Sequence, residues 1–408
     1  MSGHKTIWSV GGGKGGVGKS VITANMGCAL AGMGREVMLV DADLGGANLH
    51  TYFGIKYPSR SLEDFLKGRF SAIEEAAIDT GVRGLRLISG GGEFLGIANP
   101  AFAQKQKLIA HIKKLDAEHI IVDLGAGSSY NTLDFFAISN EGIVVLVPEP
   151  AAIQNAYIFL KSFVYRRLLR LFSDNPLVSD AIKEATDAHG KNSVRTFSDL
   201  CERLSREDRR SAERALSEIK SFRPRILLNM AASHEDLKVV DAFRSAAGAF
   251  LSLDTEFVGA IFSRPSIKSA ARKMRPFMLD DAAVDARRDM EMIVANLTAT
   301  GKASGESGAS QASSPRSPAQ PPPQEVFGFN DDVSHMGAVF HVQTEAQGGM
   351  NPSVETIIYQ GGRIFFSRKT ASDEIRRNSA GMTIRDFAAR QHRAAMAAIK
   401  MNKITFQG

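Results

Sequence analysis

Length, composition and charge exclude several classes of protein. The chain has 408 residues, of which 44% are hydrophobic and 23% charged, a balance typical of globular rather than disordered or fibrous proteins. Two cysteines, Cys28 and Cys201, are too few for a disulfide framework, a zinc knuckle or a four-thiolate cluster. The sequence has neither a charged-then-apolar leader nor a long apolar run, so we expect a cytoplasmic protein. A net charge of +6 leaves room for an acidic partner.

Short β-branched runs alternate with longer helical stretches over Thr6–Asn296. This alternation predicts βαβ units around a parallel sheet. Apolar runs typical of strands buried on both faces fall at Thr6–Val10, Glu36–Val40, Leu85–Ile88, Ile120–Val122, Gly142–Val147, Arg225–Leu228 and Phe257–Ile261. We therefore predict an α/β domain over residues 1–300, with a doubly wound, mainly parallel sheet and helices on both faces.

An arginine-rich helical stretch interrupts this rhythm at about residues 165–222. It contains the segment RRLLRLF at 166–172 and a mixed-charge run that follows Cys201. We interpret the stretch as a helical insertion. Its charged side chains could form a solvated face with i,i+4 ion pairs, or a docking surface for a partner or a membrane.

The last quarter of the chain has a different composition. Residues 301–325 are so rich in Gly, Ala, Ser and Pro that they predict a disordered linker. Apolar and polar residues then alternate at 338–346 and 354–369, and Gly361–Gly362 is placed as a hairpin turn should be. We predict a small β-rich (α+β) module over residues 326–408, ending in a helix.

A glycine-rich loop follows the first predicted strand and precedes the predicted helix Val21–Met33. The segment GKGGVGKS fits the pattern G-x-x-x-x-G-K-[ST] of phosphate-binding loops. Its glycines let backbone N–H groups wrap a polyphosphate. We expect Lys19 to reach the β and γ phosphates of ATP, and the Ser20 hydroxyl to bind Mg²⁺. The residues predicted to contact ATP here are Gly13, Lys14, Gly15, Gly16, Val17, Gly18, Lys19, Ser20 and Val21.

Three aspartates close two of the predicted strands. Asp41 and Asp43 end the second strand, at the sheet edge where doubly wound folds bind ligands. We expect Asp41 to hold Mg²⁺ through water, and Asp43 to orient the attacking water. Asp123 ends HIIVD and is also expected to hold Mg²⁺ through water, while the glycines of residues 125–127 predict a switch segment. The alternative for Asp41 and Asp43 is that they only cap the next helix, and the alternative for Asp123 is that it only ends a strand in a simple turn.

The segment KGGVGKS resembles the deviant phosphate-binding loop of the MinD/ParA family. In that family, the lysine at the position of Lys14 reaches the nucleotide of the partner subunit in an ATP-sandwich dimer. The resemblance covers Thr6–Asn296, and DADLGGANL resembles the family's first switch segment. It implies a homodimer in the ATP state, with Lys14 acting alongside Lys19 and Asp43. It also implies that Asn229 reads the adenine edge, although a plain turn former is the alternative.

Within this family, DLGAGSSYNTLDFF and VPEPAAIQNAY look most similar to the FlhG branch, the MinD-like ATPases that set flagellar number and placement. The resemblance implies a slow, dimerising ATPase switch with a protein partner, which controls the position or number of a cellular structure. A DNA-associated ParA-type partition ATPase and an iron–sulfur carrier are the alternatives. Since the first strand begins at once, we expect no N-terminal activating segment of the FlhG type.

Relatives in this family end in an amphipathic helix that binds the bilayer. Here Thr383 and Asp386 are placed like the capping box of such a helix. Its larger apolar side chains are Ile384, Phe387, Met396 and Ile399. Two interpretations stay open. In the first, the helix contacts the inner face of the membrane, or a pole, once dimerisation doubles its apolar area. In the second, the helix packs on its own β module.

Overall fold

The computed structural model describes residues 5–91, 102–139, 141–186, 194–299, 326–336, 338–347, 353–360, 363–370, 374–375 and 382–401. The chain divides into two compact units, Met1–Ser307 and Gly308–Gly408. The predicted linker at 301–325 and the predicted turn at Gly361–Gly362 lie outside the described residues.

An eight-stranded sheet forms the centre of the first unit, in the order β3-β4-β2-β5-β1-β6-β7-β8. Its strands are β1 (Thr6–Gly11), β2 (Val37–Asp41), β3 (Ala77–Asp79), β4 (Leu85–Ile88), β5 (His119–Asp123), β6 (Ile143–Leu146), β7 (Arg225–Ala231) and β8 (Glu256–Phe262). Neighbouring strands are parallel except for β3 and β4. The predicted doubly wound, mainly parallel sheet is confirmed. The three-residue edge strand β3 was not predicted, because it is too short to show a pattern.

Helices cover both faces of this sheet. They are α1 (Lys19–Gly32), α2 (Leu62–Leu66), α3 (Phe102–Ile112), α4 (Tyr130–Phe136), α5 (Pro150–Leu171), α6 (Pro176–Thr186), α7 (Phe197–Glu207), α8 (Arg209–Lys220), α9 (Lys238–Leu251), α10 (Pro265–Arg272) and α11 (Val284–Ala299). Successive residues of β6 enter different cores: Val144 and Leu146 join one apolar cluster, while Ile143 and Val145 join the other. The continuous apolar strands of the sequence are therefore buried on both faces.

The arginine-rich stretch at 165–222 belongs to one of these two cores. Helix α5 begins at Pro150 and runs to Leu171, so the predicted start of the insertion lies inside a helix. Ile182, Phe197 and Ile219, which lie on α6, α7 and α8, are fully or almost fully buried in the same cluster as Val144. The stretch is therefore packed into the main unit.

The second unit is a four-stranded antiparallel sheet with one long helix. Its strands are β9 (Val326–His335), β10 (Ala338–Gln347), β11 (Ser353–Gln360) and β12 (Arg363–Thr370), in the order β12-β11-β10-β9. The helix, α12 (Ile384–Lys400), has the predicted capping box of Thr383 and Asp386. The structure confirms the predicted β-rich module.

The apolar face of α12 packs on this sheet. Ile399 is buried with Val342 and Ile358, and Met396 packs beside them. Ile384 and Phe387 pack against a second small cluster that contains Val354. The side chains that a bilayer would need thus lie in the module's own core. Among the described residues, no helix is both long enough and apolar enough to cross a bilayer.

Candidate nucleotide-binding site

The glycine-rich loop joins β1, which lies between β5 and β6 in the sheet, to the N-terminus of α1. Gly18 has a φ of 88°, a left-handed conformation that side chains rarely adopt, and it precedes the first helical residue, Lys19. A Cβ at Gly13 would lie 1.9 Å from the backbone oxygen of Asn155 on α5. The loop therefore needs glycine for its turn and for its close packing, and it places the helix N-terminus at the mouth of the site.

The two lysines of the loop have opposite environments. Lys19 is 8% exposed, and its Nζ donates to the backbone oxygen of Lys14 at 3.3 Å. Burial lowers the pKa of Lys19, although the charges of Asp123 and Asp43 oppose this shift. The Lys14 side chain is 42% exposed, and its Nζ lies 3.5 Å from Oε2 of Glu149. One ammonium group is thus enclosed in the site and the other lies at its rim.

Asp41 and Asp123 are paired in register at the ends of β2 and β5 and are 1% and 2% exposed. Burial, with a contribution from the charge of Asp123, raises the pKa of Asp41 to about 8. Burial likewise raises the pKa of Asp123 to about 6, although a hydrogen bond from Ser20 and the charge of Lys19 oppose the shift. Two buried carboxylates side by side are costly unless a cation compensates them.

Further hydrogen bonds fix both carboxylates. Asp41 accepts from the backbone N–H of Asp43 at 3.1 Å and from that of Leu49 at 3.0 Å. Asp123 accepts from the Thr23 hydroxyl at 3.1 Å. The two aspartates are therefore held in fixed positions at the sheet edge.

These groups fit Mg²⁺. Ser20, Asp41 and Asp123 offer only oxygen ligands, which Mg²⁺ prefers, and Mg²⁺ is usually held by one or two carboxylates together with phosphates and water. No cluster of three or more His, Cys, Asp or Glu side chains suited to a metal occurs in the described part of the chain. Together with Ser20, Asp41 and Asp123, the phosphates of a bound nucleotide and water would complete the ligands of a magnesium ion.

Asp43 brings the two predicted switch segments together. A Cβ at Gly125 would lie 3.1 Å from Cγ and Oδ1 of Asp43, so the carboxylate lies directly against the backbone that follows β5. A substituent at Gly46 would lie 3.4 Å from Oδ2 of the same carboxylate. A conformational change in either segment would therefore displace the other through this contact.

Asn229 lies beside the phosphate-binding loop. Its side chain is buried, and Nδ2 donates to the backbone oxygen of Val17 at 2.9 Å. The amide thus fastens the end of β7 to the loop. Its second N–H and its oxygen can pair with a nucleobase edge, and the adenine contact remains a prediction.

The structure brings the predicted residues to one edge of the sheet, at the ends of β1, β2, β5 and β7. Two further residues were not predicted to have roles here. Thr23 lies one turn after Lys19 and Ser20 on α1, and this spacing is the signal that could have found it. Glu149 had no predicted role, because no local pattern connects it with Lys14.

Residues 8–283 match the sequence profile of the CobQ/CobB/MinD/ParA nucleotide binding domain. The chain belongs to this family. Its nucleotide-binding members include the MinD and ParA ATPases, as the loop with its additional lysine indicated. The predicted MinD/ParA resemblance, and the similarity to the FlhG-like branch, are confirmed.

Two relatives illustrate this membership. The MinD/ParA-family chain is 33% identical over 157 residues to the antiactivator FleN of Pseudomonas aeruginosa, across 38% of the chain and 55% of FleN. It is 35% identical over 161 residues to the flagellum site-determining protein YlxH of Helicobacter pylori, across 39% of the chain and 54% of YlxH. The chain therefore spans about half the length of these relatives.

A solved structure of MinD from Pyrococcus horikoshii OT3, complexed with Mg-ADP, resembles the chain with a TM-score of 0.49 and 20% identity. The superposition covers 73% of this chain and 98% of that one.

Proposed function

We propose that this chain binds and slowly hydrolyses ATP, and that ATP joins two copies into a dimer which controls the position or number of a cellular structure. The observation that carries the proposal is the contrast between the two lysines. Buried Lys19 is placed to bind the phosphates of its own site, whereas exposed Lys14 lies at the rim, where a second copy can be reached.

The residues divide the chemistry between them. Backbone N–H groups of the loop and the Lys19 ammonium bind the phosphates and fix the orientation of the triphosphate. Ser20, Asp41 and Asp123 would hold Mg²⁺, which supplies positive charge to the phosphate oxygens when bound. Asp43 accepts a hydrogen bond from the attacking water and orients it. Lys14, once it leaves Glu149, would stabilise charge on the partner subunit's nucleotide.

The contact between Asp43 and Gly125 supports a switch rather than a fast enzyme. Both segments lie beside the predicted γ-phosphate position, so gain or loss of that phosphate would change their contact. We infer a role in the cytoplasm, with any attachment to a pole or membrane made through a protein partner. The matches to FleN and to a flagellum site-determining protein support a positioning role.

Dimerisation and hydrolysis can be tested together. Light scattering should show a dimer with a non-hydrolysable ATP analogue and a monomer with ADP. The Lys14→Ala variant should stay monomeric with the analogue, and the control Lys114→Ala should behave as the unaltered protein. Asp43→Ala should form the dimer with ATP but release phosphate at least about a hundredfold more slowly, the usual range for loss of a positioned acid or base. An unaltered protein that stays monomeric with the analogue, with phosphate release insensitive to Asp43→Ala, would refute the proposal.

A further inference from the structure

A pocket of about 370 Å³ lies between helices α3, α4, α5 and α8. This volume is within the range of about 300–1,000 Å³ that is typical of ligand clefts. Apolar side chains, among them Leu133 and Phe163, contribute to its lining, and none of the predicted nucleotide-binding residues does. Its charged lining residues are Lys113, Asp134, Arg166, Arg167, Arg170 and Glu218.

Positive charge exceeds negative charge in this pocket. Asp134 accepts two hydrogen bonds from Arg166, at 2.9 and 3.0 Å, and Lys105 lies 2.5 Å from the same carboxylate. Glu218 accepts from Nε of Arg167 at 2.5 Å. Two carboxylates are therefore surrounded by several cations, and an additional anion would improve the balance of charge.

Arg170 is the most exposed of the three arginines that line the pocket. Its side chain is 41% exposed, against 20% for Arg166 and 14% for Arg167. Its one contact with Asp134 is long, at 3.4 Å, so much of its fork of five N–H donors is left for another acceptor.

We propose that this pocket binds an acidic segment of a protein partner, in which Asp or Glu alternates with aliphatic side chains. The planar guanidinium of Arg170 pairs bidentately with a carboxylate, and the apolar lining near Leu133 and Phe163 receives the neighbouring aliphatic side chains. A nucleic acid or an anionic bilayer surface fits less well, because its phosphate groups have no neighbouring aliphatic side chains to occupy the apolar lining near Leu133 and Phe163.

Asp134 links the pocket to the second switch segment. It lies on α4, which begins at Tyr130, soon after Gly127. The same helix is attached to β1 by a hydrogen bond of 2.9 Å from the Ser9 hydroxyl to the backbone oxygen of Phe136. Because α4 follows the second switch segment, we expect a movement of that segment on nucleotide exchange to displace Asp134 and the cations around it, and so to change the affinity of the pocket. This link rests on the proposed ATP switch.

Fluorescence anisotropy on the full, nucleotide-free chain tests the pocket itself. The probes are short fluorescein-labelled peptides in which Glu alternates with Leu, and matched peptides in which Gln replaces Glu. The acidic peptide should bind at least about tenfold more tightly than its neutral match, since about 1.4 kcal/mol corresponds to tenfold. Arg170→Glu should weaken binding at least about tenfold through like-charge repulsion. The control is Arg209→Glu, the same charge reversal at an 86% exposed side chain on α8 that does not line the pocket, and it should change affinity less than about twofold.

Several results would overturn the proposal. Equal affinity of the unaltered protein for the acidic and neutral peptides would show that the pocket does not select acidic segments. Equal affinity of the Arg170→Glu and Arg209→Glu variants for the acidic peptide would show that the peptide does not bind in the pocket. Displacement of the peptide by inorganic phosphate, single-stranded DNA or phosphatidylglycerol vesicles at equal charge concentration would assign the site to phosphate-bearing ligands instead. If Arg170→Glu lowers the thermal midpoint more than Arg209→Glu does, Lys113→Glu replaces it, since this exposed lysine lines the same pocket.

The link to the switch has its own readout. Peptide affinity with ADP and with a non-hydrolysable ATP analogue should differ at least about fivefold, the lower end of ordinary allosteric coupling. Equal affinities would refute the link. Because the binding test uses nucleotide-free protein, a failure of the ATP switch would appear in dimerisation and phosphate release and would leave that test unaffected.

Discussion

Removal of one buried carboxylate should destabilise the first unit. Asp134 has no exposed side-chain area, and its contacts with Lys105, at 5% exposure, and Arg166, at 20%, are 2.5 and 2.9 Å long. Asp134→Asn leaves these two cations enclosed with less compensating charge. Breaking such a buried pair costs about 3–5 kcal/mol. For a unit of this size, about 3 kcal/mol corresponds to a decrease of about 5 °C in the thermal midpoint.

Trp8 provides the assay. It is the only tryptophan of the chain, is 1% exposed and lies on β1, so its fluorescence follows urea unfolding of the first unit. The control is Asp180→Asn, which removes a carboxylate from an exposed pair with Lys183 at 2.8 Å. Such a surface pair contributes at most about 1 kcal/mol. Equal decreases in the unfolding free energy for Asp134→Asn and Asp180→Asn would show that the buried ion pairs of Asp134 contribute no more than an exposed pair.

The same carboxylate predicts the direction of a pH effect. Burial favours the neutral acid, but hydrogen bonds and charges from Arg166 and Lys105 outweigh it and lower the pKa of Asp134. A group whose pKa is lower in the folded state stabilises the fold above its unfolded pKa and loses this contribution as the pH falls. The difference in stability between Asp134→Asn and the unaltered protein should therefore be full at neutral pH and decrease below about pH 4.

Three further changes test other parts of the molecule. Gly13→Ala places a Cβ 1.9 Å from the backbone oxygen of Asn155, so the loop must move. Calorimetric titration should therefore detect little or no ATP binding by this variant, whereas the unaltered protein should bind ATP. Thr23→Val removes the 3.1 Å hydrogen bond to Asp123, worth about 1 kcal/mol, and should weaken Mg²⁺-dependent nucleotide binding about fivefold; unchanged affinity would contradict this role. Ile399→Ala leaves a cavity in the second unit and should lower its free energy of unfolding by about 2–4 kcal/mol. Limited proteolysis of the second unit should become faster. Binding to vesicles should be no weaker than that of the unaltered chain.

The sequence was most informative where the physics is local. A phosphate-binding loop depends on contiguous glycines, one lysine and a helix start, so GKGGVGKS could be recognised without knowledge of the rest of the chain. Seven strands were predicted because a strand buried on both faces must be apolar throughout. The capping box of Thr383 and Asp386 likewise depends on residues only three apart.

Sequence patterns are weaker guides at the edges of the sheets. Strand β3 has three residues and one neighbour, and its pairing depends on β4 rather than on its own pattern. Strand β9 contains Asn330 and the two aspartates that follow it, which are unfavourable in strands, yet it pairs along the whole of β10. Both strands are stabilised by the partner strand, which a local pattern does not show.

The sequence by itself determined the class of fold, the phosphate-binding loop and the family, because each depends on residues adjacent in the chain or on a simple period. Tertiary structure alone decided that Lys14 pairs with Glu149, that Asp43 lies against Gly125, and that cations surround Asp134. Each of these contacts joins residues far apart in the chain. Their geometry depends on the order of strands in the sheet and on the packing of α3, α4 and α5, which no local spacing encodes.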